Sequence, residues 1–309
     1  MYLKSAKQII HLFSLFAITM ALFVQKISYA AEPQLTEEKL SIHLPLTLKY
    51  YQVGPGDITG FVVDAILNKP INGAVVCSDS DICDVTNEDG VYHLTNISGG
   101  WVGVEATRSG FLPLKQDVKV IYQKTSTLDF TLSPSLSIGE YRIVLTWGRV
   151  PKDLDAHFWL PYEDYPHLYL DHPGVCNEIP FACLDRDDRD GNGPETISIT
   201  ELAQDGIYSF AVLNYYFGHP GVPDITESGA KVQVYGAEGL IMQFFVPETG
   251  DGDLWYVFDL NSANGEVTSV NCITYYPSDP DRPQCEMPLK IVHPLREEKD
   301  GRITITENR

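Results

Sequence analysis

Basic residues are scarce in this sequence, and their scarcity excludes several classes of partner. The chain has 22 lysines and arginines against 42 aspartates and glutamates, which gives a formal net charge of −20 at pH 7. A surface this negative repels phosphate-rich molecules, so it argues against nucleic acids and anionic membranes as partners. The same acidity suits an exported protein that binds divalent cations.

Helical patterns and catalytic signatures are also missing. The sequence contains no amphipathic helix of ordinary length, and neither Gly-x-Ser-x-Gly nor His-Glu-x-x-His occurs in it. Beyond the first 30 residues, no stretch is apolar enough to span a bilayer. These absences argue against an enzyme and against a membrane span in the mature chain.

The first 30 residues are predicted to be a signal peptide. Lys4 and Lys7 make a basic start, the segment 9–24 is mostly apolar, and Ser-Tyr-Ala at 28–30 offers the small residues that a signal peptidase reads. An uncleaved membrane anchor is the alternative, but the apolar run is near the lower limit for spanning. We therefore expect a secreted, periplasmic or cell-surface protein.

Most of the chain has the residue pattern that is typical of β-strands. Short runs rich in valine, isoleucine, threonine, tyrosine and phenylalanine alternate with glycine, proline, asparagine and aspartate. A chain of this length can form two β-sandwiches of roughly 100 residues each plus tails. The sequence therefore predicts an all-β protein with two β-sandwich domains. Its predicted segments are a signal peptide (1–30), a leader (31–56), a first sandwich (57–133), a larger antiparallel sandwich (138–273) and a C-terminal tail (274–309).

The segment 57–133 resembles a known module. Its motifs in order are Gly-x-Val-x-Asp at 60–64, Lys-Pro-Ile-x-Gly-Ala-x-Val at 69–76, Thr-x-x-x-Gly-x-Tyr at 86–92, Gly-Trp-Val-Gly-Val-Glu-Ala at 100–106 and Gly-Phe at 110–111. This order is similar to that of the carboxypeptidase regulatory-like (transthyretin-like) module. The resemblance implies a seven-stranded sandwich without catalytic residues of its own, appended to other domains as a spacer or binding platform.

The segment 138–273 resembles a little-characterised family of bacterial secreted β-sandwich domains. The matching motifs include Leu-Thr-Trp-Gly at 145–148, Asp-Leu-Asp-Ala-His at 153–157, Leu-Asp-x-Asp-Asp at 184–188 and Trp-x-Val-Phe-Asp at 255–259. The resemblance implies a sandwich fold across the whole segment.

Six cysteines fall into three pairs that are local in sequence. In an exported chain an even count favours disulfides, and six cysteines allow 15 pairings. Local pairing is the simplest of them, whereas a zinc site would be expected to show Cys-x-x-Cys, which does not occur. The predicted disulfides are Cys77–Cys83, Cys176–Cys183 and Cys272–Cys285.

An acidic loop at 185–195 is the strongest candidate site. It holds five carboxylates in eleven residues, and such crowding is unfavourable unless a positive charge, above all Ca²⁺ with its oxygen ligands, offsets it. Asp188, Asp190 and Asn192 follow the spacing of a calcium loop, but position twelve is Ile199, so this is not an EF-hand. A solvated acidic turn, neutralised by its own arginines, is the alternative.

Ligands from elsewhere would have to complete such a site. Asp153 and Asp155 alternate at strand spacing, which aims both carboxylates to one face of a strand. The predicted cation ligands are Asp153, Asp155, Asp185, Asp187, Asp188, Asp190, Asn192 and Glu195.

Aromatic residues near predicted strand ends suggest a surface for ligands. Trp159 and Tyr162 follow the Asp-Leu-Asp motif, and Tyr215 and Tyr216 follow a predicted central strand. Exposed rings can stack on sugars, although large aromatics more often close a core. The sequence therefore predicts an exported non-catalytic protein, stabilised by Ca²⁺, that binds a glycan or a surface protein.

The alternative function is a metal-dependent hydrolase. Asp155 and His157 alternate and could face one cleft together with the acidic loop, as general acid–base or metal chemistry requires. The two functions differ in one structural feature. An enzyme needs His157 and at least two of these acids in an open cleft, whereas a binding module does not.

Overall fold

The fold is built almost entirely from β-strands. The computed structural model describes residues 54–203, 205–278 and 281–285, which all belong to one compact unit. Within these residues the helical structure is one 3₁₀ turn, η1 (Ile225–Glu227). The all-β prediction is confirmed. The predicted signal peptide, nearly all of the leader and most of the tail lie outside the described residues.

The first sandwich precedes residue 133. Its strands are β1 (Gly56–Asp64), β2 (Val75–Ser78), β3 (Cys83–Val85), β4 (Val91–Ile97), β5 (Gly100–Thr107), β6 (Leu114–Val120), β7 (Thr125–Thr127) and β8 (Phe130–Leu132). In one sheet, β1 pairs with β4 on one side and, in parallel, with β7 and β8 on the other. The second sheet has the order β3-β2-β5-β6. Alternate residues of β1 are buried, as expected for a strand with one face on a core.

The second sandwich follows residue 140. Its strands are β9 (Tyr141–Thr146), β10 (Leu154–Trp159), β11 (His167–Leu168), β12 (Gly174–Val175), β13 (Ala182–Arg186), β14 (Glu195–Ile199), β15 (Ile207–Asn214), β16 (Lys231–Gly236), β17 (Gly239–Phe245), β18 (Leu254–Asn261) and β19 (Glu266–Thr274). Five of them form a sheet in the order β11-β10-β15-β18-β19, and six form a sheet in the order β12-β13-β14-β9-β16-β17. All these pairings are antiparallel.

Strand β10 is buried on both faces. Its residues at even positions, Leu154, Ala156 and Phe158, belong to the core between the two sheets. On the opposite face His157 and Trp159 are also buried, because the rings of the following segment pack over them. The acidic start of β10 therefore lies in a low-dielectric environment.

The two sandwiches share a packed contact. Ala65 and Leu112 of the first sandwich form one buried cluster with Val144 and Tyr235 of the second. The buried Arg142 adds polar ties, because its Nη1 donates to Ser133 Oγ at 2.9 Å and to the Pro134 carbonyl at 2.8 Å. Ser133 and Pro134, at the end of the first sandwich, are therefore part of a structured junction.

Three disulfides are present, and their pairs are those that local pairing predicts: Cys77–Cys83, Cys176–Cys183 and Cys272–Cys285. Such bonds persist in oxidising compartments, which favours a location outside the cytoplasm. The part of the chain that the structure describes contains no helix with the length and apolar character needed to cross a membrane.

Candidate functional site

Glu195 connects the two sheets of the second sandwich. It is the first residue of β14, in the six-stranded sheet, and it is 1% exposed. Its Oε2 accepts a hydrogen bond from the backbone N–H of Ala156 on β10, in the five-stranded sheet, at 2.7 Å. Its Oε1 accepts a longer one from the N–H of Asp188 at 3.3 Å. A buried carboxylate thereby holds the acidic loop against the start of β10.

Three carboxylates converge at this point. Asp155, Asp187 and Glu195 each place an oxygen within 4.8 Å of the others. Oxygens that share one Ca²⁺ at 2.3–2.6 Å lie at most about 5 Å apart, so the three groups are close enough to hold one ion. Asp155 and Glu195 are buried and Asp187 is half-buried, so this group is not an ordinary exposed acidic patch.

We call Asp153, Asp155, Asp187 and Glu195 together the carboxylate cluster. Two of its oxygens are buried and have no hydrogen-bond partner within the described residues. Asp153 is 5% exposed, and its Oδ1 has no hydrogen-bond partner within the described residues. The same is true of Asp187 Oδ1. A buried anionic oxygen without a donor is unfavourable by a few kcal/mol. The cluster therefore has acceptor capacity that the described chain does not satisfy.

The pKa values of the cluster reflect this burial. Removal from water, followed by the negative charges of Asp153 and Asp187, raises the pKa of Asp155 to about 7. Burial also raises the pKa of Glu195 well above its ordinary value, although the N–H of Ala156 opposes the shift. The pKa of Asp153 is raised by burial and then by Asp187. A divalent cation would favour the ionised form of all these groups.

A β-bulge explains why Asp187 reaches the cluster. The pairing of β13 with β14 shifts between Leu184 and Arg186, so that Arg186 lies opposite Thr196. One extra residue on a strand reverses the side-chain alternation beyond it. Asp187 consequently lies on the side of Glu195, whereas an unbroken register would have placed Arg186 opposite Glu195.

The linear calcium pattern is not what forms the cluster. Asp188 is buried, but its Oδ2 accepts from Arg186 at 2.8 Å and its Oδ1 from the N–H of Asp190 at 3.2 Å. Asp190 and Asn192 are exposed. Asp185 lies instead beside the Cys176–Cys183 disulfide. Of the eight predicted ligands, the structure therefore brings together Asp155, Asp187 and Glu195, with Asp153 next to them.

The glycines of the loop have a structural role of their own. Gly193 adopts a φ of +73°, and a Cβ at this position would meet the Trp147 ring at 2.8 Å. Gly191 also has positive φ, and its Cβ would meet the Arg149 carbonyl at 2.6 Å. Close packing and left-handed turns therefore require both glycines whether or not the loop binds a cation.

Arg189 is one of the loop arginines that the solvated-turn alternative expects to neutralise the acids. Its Nε donates to Asp187 Oδ2 at 2.8 Å, and its side chain is 60% exposed. The guanidinium also lowers the pKa of Asp153 and of Asp155, so its charge acts on three members of the cluster. Its pairing with Asp187 is the kind of contact that this alternative expects.

His157 does not lie in an open cleft. It is 3% exposed, and its Nδ1 is 3.0 Å from Nε2 of His167 in a hydrogen bond. Burial, followed by the neighbouring His167, lowers the pKa of His157 to about 3. A general base must reach substrate or water, so the arrangement required of a hydrolase is not the one observed.

The predicted aromatic contacts differ in exposure. Trp159 is 1% exposed and its ring stacks on His167 at 4.2 Å, which contradicts its expected role as a ligand contact. Tyr162 packs against the core of the second sandwich. Tyr215 and Tyr216 are exposed, with ring centroids 4.9 Å apart and nearly perpendicular planes. Only this last pair offers open ring faces among the four.

The aromatic pair and the carboxylate cluster lie at the same end of the second sandwich. Leu154 pairs with Asn214 where β10 begins and β15 ends. Asp153 directly precedes the first of these residues, and Tyr215 directly follows the second. The carboxylate cluster and an exposed aromatic pair therefore come from neighbouring strand ends.

Residues 57–133 match the family described as the carboxypeptidase regulatory-like domain. The first sandwich is therefore a domain of this kind, as its motifs predict. The match ends where the first sandwich ends, and the resemblance of the segment 138–273 stays a prediction. No curated protein matches the chain in sequence.

Solved structures show distant likenesses. A type II cohesin–X–dockerin complex from Acetivibrio cellulolyticus aligns with 24% of this chain and 52% of its own at 17% identity and a TM-score of 0.20, so the chain spans about half of that protein. A homologue of the telluride resistance protein TerD from Streptomyces coelicolor aligns with 47% of this chain and 94% of its own length, at 14% identity and a TM-score of 0.35. A variant of the major pilin subunit of Bacillus cereus aligns with 71% of this chain and 85% of its own length, at 10% identity and a TM-score of 0.24. These scores are too low to support conclusions about this chain.

Proposed function

We propose that this protein is an exported, non-catalytic binding module of the cell envelope or extracellular space, and that a Ca²⁺ ion stabilises its second sandwich. The convergence of Asp155, Asp187 and Glu195 from both sheets, beside the unpaired buried oxygen of Asp153, carries the proposal. The three disulfides support an oxidising location.

Calcium suits the cluster better than the other common metals. All of its ligand atoms are carboxylate oxygens, which hard cations prefer over soft ones. The His157–His167 pair is hydrogen-bonded within its own aromatic stack, so it does not supply the nitrogen ligands that zinc favours. The irregular arrangement of strand-end and loop carboxylates suits the flexible coordination of Ca²⁺ better than the strict octahedron of Mg²⁺.

The ligand in this proposal is a glycan or a surface protein that contacts the end of the second sandwich. The exposed Tyr215 and Tyr216 supply ring faces there, and rings of this kind stack on sugars or pack on a partner. The proposal assigns no catalytic residue, because His157 is enclosed by other rings.

Thermal unfolding of the full chain in Ca²⁺ and in EDTA tests the cation site. A ligand at 100 times its Kd stabilises a fold by about 2.7 kcal/mol, so we expect Ca²⁺ to raise the Tm by several degrees. Asp155→Asn should remove most of this shift. In EDTA the same variant should melt at or above the wild-type temperature, because it replaces a buried carboxylate whose pKa is raised to about 7.

Asp190→Asn is the matched control, since Asp190 is an exposed carboxylate of the same loop that lies outside the cluster. This variant should keep the Ca²⁺-dependent shift. A melting curve that is the same in Ca²⁺ and EDTA would contradict the cation site. Loss of the shift in Asp190→Asn would show that the linear pattern, and not the cluster, binds the ion.

A further inference from the structure

A cavity lies beside the segment that follows β10. It has a volume of about 370 Å³ and is lined by residues between Leu160 and Pro180. Cavities of this size hold small ligands or single side chains. None of the residues predicted as ligand contacts lines it, so the proposed function does not account for it.

The walls of this cavity are aromatic and acidic. Tyr169 and His172 contribute two rings whose centroids are 5.2 Å apart and whose planes meet at 66°. Tyr165, 47% exposed, supplies a further ring of the lining. Asp164 and Asp171 are exposed carboxylates of the same lining. Among the described lining residues there is no lysine or arginine.

The walls are also held in place. Tyr169 and His172 exchange backbone hydrogen bonds of 3.2 and 2.9 Å, which form a tight turn that carries Asp171 near its tip. Beneath the turn, Tyr169 stacks on His167 at 4.7 Å, and His167 stacks on Trp159. The neighbouring strand β12 precedes the Cys176–Cys183 disulfide directly. A site whose walls are fixed before binding loses little entropy on binding.

We propose that this cavity binds an organic cation, an alkylammonium group presented either by a lysine side chain of a partner protein or by a free quaternary ammonium compound. The faces of aromatic rings attract a cation through their quadrupoles, and the exposed carboxylates of the lining add a favourable charge. The absence of a lysine or arginine from the described lining, and the net charge of −20, disfavour an anionic ligand. The inference rests on the proposed binding role but not on the calcium site.

Titration of the full chain with choline, followed by NMR or calorimetry, tests this inference. The uncharged isostere 3,3-dimethyl-1-butanol should bind at least about fivefold more weakly, because only the charge differs. The affinity of N-acetyl-lysine amide, compared with that of the uncharged N-acetyl-norleucine amide, tests the effect of the charge for a lysine side chain. Tighter binding of choline or of the lysine amide identifies which source the cavity prefers.

The double variant Asp164→Asn/Asp171→Asn should weaken binding of the cation by at least about fivefold. Asp89→Asn/Asp117→Asn is the control, because it removes two exposed carboxylates from the first sandwich and changes the net charge equally. The inference is overturned if neither cation binds, if the uncharged isosteres bind as tightly, or if the control loses as much affinity. Parallel titrations in EDTA and in Ca²⁺ separate this result from a failure of the calcium site.

Discussion

At the scale of single residues, Arg189 neutralises part of the negative charge of the acidic loop. Its guanidinium contacts Asp187 and acts on Asp153 and Asp155, which are members of the proposed cation site. The side chain is largely exposed, so water screens its interactions and holds the arginine only weakly in place. Arg189 is thus a tethered counter-ion for the same carboxylates that a calcium ion would neutralise.

Arg189→Gln should increase the apparent affinity for Ca²⁺ by about threefold, because it removes a positive charge that competes for the cluster. In EDTA its Tm should be slightly lower than that of the wild type, since the carboxylates lose their counter-ion. Calcium titrations by calorimetry measure the first effect and thermal melts the second. Arg149→Gln, another exposed arginine nearby, is the control. Equal calcium affinities in the two variants would contradict competition.

At the scale of elements, the end of the second sandwich combines a buried strand with an exposed loop. Two buried acids, Asp153 and Asp155, lie on either side of the first residue of β10, and the loop after β15 begins with two exposed tyrosines. Because β10 and β15 are antiparallel neighbours, the end of one and the start of the other coincide. An ion that binds the acids would therefore order the end of the sandwich that carries the rings.

The double variant Tyr215→Ala/Tyr216→Ala should abolish most binding on a glycan array, because stacking of sugars on these rings would be lost. The wild type should bind glycans more strongly in Ca²⁺ than in EDTA. Phe245→Ala is the matched control, since Phe245 is 60% exposed on a different strand, β17. Glycan binding that survives the tyrosine substitutions would place the ligand surface elsewhere. An array without any bound glycan would leave a surface protein as the ligand in the proposal.

At the scale of the whole molecule, the two sandwiches behave as one packed body in the structure. The shared cluster of Ala65, Leu112, Val144 and Tyr235 buries apolar surface from both. The hydroxyl of Thr196 also donates to the Ala65 carbonyl, and Lys231 Nζ donates to Gln116 Oε1 at 2.6 Å. The junction therefore restricts the motion that two domains on a flexible linker would have.

Leu112→Ala should weaken this junction by about 2–3 kcal/mol, because it removes buried methyl groups and leaves a cavity. In calorimetry we expect the wild type to unfold in one transition and the variant to show two, as the sandwiches lose their mutual stabilisation. Phe61→Ala, at an exposed position of the first sandwich, should keep a single transition. Two well-separated transitions in the wild type would contradict the coupling.

Several features of this protein follow from the sequence without its tertiary structure. Strand composition and turn residues predict the all-β class, and ordered motifs identify the carboxypeptidase regulatory-like domain at 57–133. Local spacing predicts the three disulfide pairs. These features depend on short-range patterns, which the chain carries before it folds.

The tertiary structure alone decided which acids meet and which rings are open. The bulge in β13 directs Asp187 to Glu195, although the calcium spacing favoured Asp188, Asp190 and Asn192, the last two of which are exposed. The packing of a later segment over β10 buries both His157 and Trp159. Register shifts and long-range packing join residues far apart in sequence, so no local pattern encodes them. The sequence by itself determined that acids would crowd in the second sandwich, and the fold decided which of them could share one ion.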